Sequence, residues 1–269
     1  MYKKLLFLPL ENTNLYNTVD FSPPVSEQNR RKMRRRAVNY RKSYWLHPTD
    51  KCYNYNIKCA AAQIPYKERL IMSLFENVKK NFGLGCMRLP MKGDEVDCGE
   101  FCRMVDYFME SGFNYFDTAR VYLGTKSESA IRDCIVRRYP RESFILTDKL
   151  STSLFNSEEE IRPLFELQLE SCGVDYFDFY LMHAQSKNIF EKYKKCRAYE
   201  QAMEFKKEGR IKHLGISFHD KAEVLDEILC EYPEVEVVQI QLNYADFATP
   251  QFSRACAMRS AASTESPLS

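Results

Sequence analysis

The stretch "SFILTDKLSTSLFNSEEEIRPLFELQLESCGVDYFDFYLMH", residues 143–183, decides the fold. Its ends, "SFILTDKL" (143–150) and "FDFYLMH" (177–183), are short apolar runs of strand length. Between them "SEEEIRPLFELQLESCG" (157–173) has apolar residues at helical spacing. Ser157 followed by Glu160 has the spacing of a capping box, and Gly173 is a helix stop. Two nearly all-apolar strands joined by a helix are the mark of a parallel crossover unit covered on both faces.

The same alternation continues in both directions. Upstream lie the strand "FGLGCMRL" (82–89), the helix "GEFCRMVDYFMESG" (99–112), the strand "YFDTA" (115–119) and the helix "SESAIRDCIVRRY" (127–139), with Ser127 as its N-cap. Downstream lie the helix "CRAYEQAMEFKKEG" (196–209), the strand "IKHLGISFH" (211–219), the helix "KAEVLDEILCEY" (221–232) and the strand "VEVVQIQLNY" (235–244). Strict alternation of this kind predicts an α/β fold with a parallel sheet. An open doubly wound sheet and an incomplete (β/α)8 TIM barrel of about six βα units both fit. No GxGxxG follows the first strand, which argues against the dinucleotide-binding open sheet.

The ends are different material. Of the 269 residues, 1–71 hold fourteen Lys and Arg against five Asp and Glu, a charge of +9; the whole chain carries +2, so the remainder carries −7. This head has no sustained periodicity, contains "NRRKMRRR" (29–36), and is expected to be disordered or not genuinely translated. A second reading makes the basic run a grip for nucleic acid, with the rest of the chain as a scaffold. Residues 72–250 form the folded part, and 251–269 are a small, polar tail. The ten cysteines show no metal-site spacing, and most are expected to be reduced thiols of a cytoplasmic protein. No apolar run approaches the length of a membrane span.

In a barrel the carboxyl ends of the strands converge on one face. Asp117, Lys149 and His183 end successive strands, and Tyr122 follows Asp117 in its loop. Each has an ordinary alternative: a cap, a packed aromatic, a solvated lysine, a core histidine. As a set they make chemical sense. A lysine ammonium lowers the pKa of a neighbouring phenol, and an aspartate holds the lysine charged. A histidine can orient a carbonyl, which the tyrosine then protonates while hydride arrives from a cofactor.

On the motifs "FGLGCMRLP", "GFNYFDTARVYLG", "FILTDKL", "DFYLMH", "GISFHD" and "VVQIQLNY", the sequence resembles the aldo-keto reductases from about residue 76 to 250. The resemblance implies a (β/α)8 barrel that reduces aldehydes or ketones with NADPH, NADH being the other option, and no metal. It makes Tyr122 the acid, Lys149 and Asp117 its activators and His183 the orienter. It also implies that Ser217 and Gln239 bind the nicotinamide amide, with Gly85 and Met87 near the cofactor. The partner expected is a small carbonyl compound, not nucleic acid or membrane. The motifs are closest in style to bacterial members, many of which carry a C-terminal ferredoxin-like iron–sulfur segment that this sequence lacks. Two departures stand out: Phe218 where the family often has Asn, and Arg120 where a small or aromatic residue is expected. Strands seven and eight are not found, so the sheet is expected to have two open edges and the chain to be truncated. The tail is expected to follow a frameshift near Cys256, and the true start to be Met72.

Overall fold

In a computed structural model, residues 4–9, 16–19 and 74–242 are described. Six parallel strands form a curled sheet: β3 (Phe82–Gly85), β6 (Tyr115–Asp117), β7 (Ile145–Leu150), β8 (Phe177–Gln185), β9 (Ile211–Phe218) and β10 (Val237–Leu242). Two strands of the N-terminal segment lie along its edges. β1 (Lys4–Pro9) runs antiparallel to β10, and β2 (Tyr16–Val19) runs parallel to β3. Since β1 also pairs with β2, the ring of hydrogen bonds closes. The open edges expected from the sequence are thus paired, as unsatisfied backbone groups on an edge strand favour. The basic run 29–36, Asn243 and the tail 251–269 lie outside the described residues.

The crossover helices are α1 (Cys98–Glu110), α2 (Lys126–Ile131, continued by a π-turn over Arg132–Val136), α3 (Ile161–Cys172), α4 (Lys187–Lys195), α5 (Ala198–Lys207) and α6 (Ala222–Glu231). A small hairpin of β4 (Met91–Lys92) and β5 (Glu95–Val96) follows β3. Asp97 caps α1, its Oδ1 accepting from Glu100 N at 3.0 Å. Gly173 ends α3 with φ +72, the left-handed turn a helix stop needs.

Two sequence expectations fail at helix starts. Ser127 is not a cap: it lies inside the first turn of α2, buried, and its hydroxyl bonds Thr118 Oγ1 and donates to the Cys86 carbonyl. Ser157 forms no capping box; α3 starts four residues later, and Glu160 instead accepts from Asn156 N at 2.7 Å. At Ser127 a tertiary contact outweighs local propensity; at Glu160 a different local bond, to Asn156 N, takes the carboxylate.

The main core lies between strands and helices, with Phe116, Leu146, Tyr180 and Ile216 packed against Phe165, Phe205 and Leu225. A second cluster holds Phe75, Tyr115, Ile145, Phe179, Leu181 and Val237. Gly215 in β9 permits the latter: a Cβ there would sit 2.3 Å from Val237 Cγ2 and 2.5 Å from Leu181 Cδ2. Cys102 of α1 and Cys134 of the π-turn are joined as a disulfide.

Candidate active site

Strand register builds the site. Gly85, Asp117 and Thr147 are neighbours across β3, β6 and β7, and Lys149 faces Leu181 across β7 and β8. Parallel register partners point to one side of the sheet, so side chains two residues apart along β7 share that side. Asp117 and Lys149 are both 1% exposed and form an ion pair, Nζ to Oδ1 at 2.6 Å. Lys149 Nζ also donates to the Thr118 carbonyl at 2.7 Å. A buried ion pair repays its desolvation only when the remaining hydrogen bonds are made, and both partners satisfy this here. The second oxygen of Asp117 accepts from Gln239 Nε2 at 3.0 Å, a contact from β10 to β6.

Tyr122 follows in the loop after β6. Its amide donates to Ala119 O at 2.9 Å, and three left-handed residues, Leu123, Gly124 and Thr125, turn the chain into α2. Lys149 Nζ lies 5.1 Å from the centre of the Tyr122 ring. The His183 ring meets that ring edge-on, with centroids 5.8 Å apart. Ser151 Oγ lies 2.6 Å from His183 Nδ1. The Tyr193 hydroxyl accepts from His183 N at 2.9 Å and donates to the Leu150 carbonyl, locking the ends of β7 and β8 together.

The electrostatics are set by burial and by the ion pair. Burial alone would lower the Lys149 pKa, but Asp117 and Tyr122 outweigh it and hold the ammonium above its ordinary value. Burial raises Tyr122, more than Lys149 lowers it. The lysine therefore acts in the direction the sequence suggests, but the phenol is not acidic in this state. Burial, Lys149 and His219 push His183 down to about 3, so its imidazole is neutral at pH 7.

The structure thus brings Asp117, Tyr122, Lys149 and His183 together. Ser217 and Gln239 are register partners, both buried. Ser217 Oγ lies 3.3 Å from His219 Nε2. Gln239 Oε1 is buried with no donor. An amide N–H would complement this orphaned oxygen, and the Ser217 hydroxyl beside it can meet an amide carbonyl, so these residues fit a nicotinamide carboxamide. Gly85 borders Asp117, and a Cβ there would meet nothing within 4 Å, leaving open space at the strand end. Met87 is 45% exposed. The sequence did not single out Ser151, Thr118 and Tyr193: Thr118 acts through its backbone carbonyl, and Ser151 and Tyr193 reach His183 only through packing.

Six parallel βα strands in a closed ring, with polar groups gathered towards their carboxyl ends, form a barrel that carries its site at that face. The chain belongs to the aldo/keto reductase family, which residues 81–259 match. It is 31% identical over 144 residues to dihydrodiol dehydrogenase 3 of Bos taurus, covering 46% of this chain and 43% of that protein. To 4-dihydromethyl-trisporate dehydrogenase of Mucor mucedo it is 34% identical over 106 residues, 38% of this chain and 30% of that one. Among solved structures, an aldo/keto reductase of Brucella melitensis is 28% identical with a TM-score of 0.44, over 54% of this chain and 53% of that chain. The chain thus spans about half the length of its relatives or less. No helix among the described residues is long and apolar enough to cross a membrane.

Proposed function

We propose that residues 72–250 carry an NADPH-dependent carbonyl reductase site acting on small aldehydes or ketones, and that the 269-residue chain turns over slowly. The observation that carries this reading is the buried Asp117–Lys149 pair set beneath Tyr122, with a neutral His183 against the same ring.

The bound dinucleotide would supply hydride. Ser217 and Gln239 would hold its amide, and Gly85 leaves room beside Asp117. The remaining work belongs to side chains. Lys149 stays charged, so its ammonium stabilises negative charge on the Tyr122 oxygen as the phenol gives up its proton. Asp117 keeps that ammonium in place, and Gln239 steadies Asp117. His183, neutral and held at Nδ1 by Ser151, orients a carbonyl oxygen through a hydrogen bond without competing for the proton. Phe218 is apolar and 3% exposed, so it adds nothing to the amide contact. NADPH rather than NADH, and a cytoplasmic setting, belong to this proposal.

The test is loss of NADPH absorbance with a small aldehyde, for the wild-type chain and for Tyr122→Phe. A slow, saturable, Tyr122-dependent rate supports the reading; equal rates refute it.

A further inference from the structure

Behind Lys149, on the helix side of β7, lies a buried polar group that the reduction chemistry does not use. Asp148 Oδ1 accepts from the backbone N–H of Lys149 at 2.7 Å. Gln168 of α3 donates to the Lys149 carbonyl at 3.0 Å and accepts from the Tyr180 hydroxyl at 2.6 Å. Both main-chain groups of the lysine are therefore held by side chains, just where the strand ends. Glu128 of α2 and Cys172 of α3 close over Asp148, and donor atoms of the three lie within 4.8 Å of one another. All three residues are 0% exposed, as is Gln168. Arg120 reaches Glu128 Oε2 at 2.5 Å and Ser171 Oγ at 3.0 Å, while Glu128 Oε1 meets no donor.

We infer that Asp148, Glu128 and Gln168 form a positioning frame for Lys149: Asp148 and Gln168 fix its backbone, and Glu128 and Asp148 hold one proton between them. Charge balance requires the proton. Among the described residues, the cation bonded to these two buried carboxylates is Arg120; the Lys149 ammonium draws on Asp148 from a distance but is turned towards Asp117. One shared proton leaves a single negative charge opposite Arg120 and gives the orphaned Glu128 oxygen a partner. The other groups facing the pair add no base: Cys172 donates its thiol to Asp148 Oδ2 at 3.7 Å, and burial keeps that thiol protonated, as it does the Tyr180 phenol. Burial, and then Glu128, push Asp148 far above the carboxylate range; burial raises Glu128 despite Arg120. Arg120, the residue that looked out of place in the sequence, is the counter-charge of this frame. The donor set could also cage a cation, but Arg120 already occupies Glu128.

The kinetic consequence rests on the carbonyl reductase reading; the shared proton does not. Infrared spectroscopy at pH 7 tests the proton alone. The wild-type chain is expected to show a carboxylic acid carbonyl band that disappears in Asp148→Asn and in Glu128→Gln. Absence of that band in the wild type, or its survival in both variants, overturns the proton. Turnover tests the frame. Asp148→Ala, which loses the acceptor for Lys149 N–H, is expected to lower kcat between about ten- and a hundredfold with KM little changed. Asp148→Asn, which keeps an acceptor oxygen, should restore most of it. Equal losses in the two variants, or none in Asp148→Ala, overturn the frame. If the wild type shows no turnover, the reductase reading fails by itself, and the infrared band still decides the proton.

Discussion

Lys149 is a charge kept in a dry place, and its neighbours show how. Asp117 and the Thr118 carbonyl take the ammonium, while Asp148 and Gln168 take the main chain. Removing the ammonium leaves Asp117 buried and uncompensated, so Lys149→Met is expected to cost about 3–5 kcal/mol in urea unfolding and to abolish turnover. A cost below about 1 kcal/mol, the range of a surface ion pair, would contradict the buried geometry. His183 carries a pH signature. Its folded pKa of about 3 lies below the ordinary 6.5, so between these values the unfolded chain takes up a proton that the folded chain refuses. Stability from this residue is full above pH 6.5 and is lost as pH falls towards 3. The His183 ring resonance is expected not to move between about pH 8 and pH 5. A titration midpoint near 6.5 would place the ring in water.

At the scale of elements, the strands were legible because both faces are covered, which makes them rich in apolar residues; all six parallel strands fall where the sequence places them. Strand ends were largely legible, since a polar residue after apolar ones stands out: Asp117 closes β6 and Lys149 lies one residue before the end of β7, whereas β8 runs on past His183 to Gln185. Helix starts were not: Ser127 matches a cap pattern that a tertiary contact overrides, and at Ser157 the Glu160 carboxylate goes to Asn156 N instead. α4 went unseen because its lysines at 187, 192, 194 and 195 hide a three-residue apolar face of Ile189, Phe190 and Tyr193. The frame behind Lys149 was illegible as well: Asp148 reads as a strand residue, and only packing brings Glu128 and Gln168 to it. The interior of β9 gives the sharpest test of the packing. Gly215→Ala forces a methyl into Val237 and Leu181, and the Val237 carbonyl at 2.8 Å cannot move aside. A loss of about 3 kcal/mol is expected from chemical denaturation. An unchanged midpoint would mean that β9 and β10 are not in this register.

At the scale of the molecule, six parallel strands are closed by two from the N-terminal segment. A chain begun at Met72 lacks β1 and β2 and leaves β3 and β10 with unpaired edges. It is expected to self-associate in sedimentation where the 269-residue chain does not, since bare edges recruit other strands. Equal behaviour of the two chains would show that the N-terminal strands add nothing. The disulfide between Cys102 and Cys134 ties α1 to the π-turn after α2 and braces the helix layer beside the site. These elements bring four side chains together, and their proposed work is to orient and protonate a carbonyl as hydride reaches it. The most direct measurement is single-turnover oxidation of NADPH by a small aldehyde, wild type against Tyr122→Phe. The wild-type rate is expected to fall by about a hundredfold or more in the variant, the share of a general acid. A variant that oxidises NADPH as fast as the wild type would contradict that role.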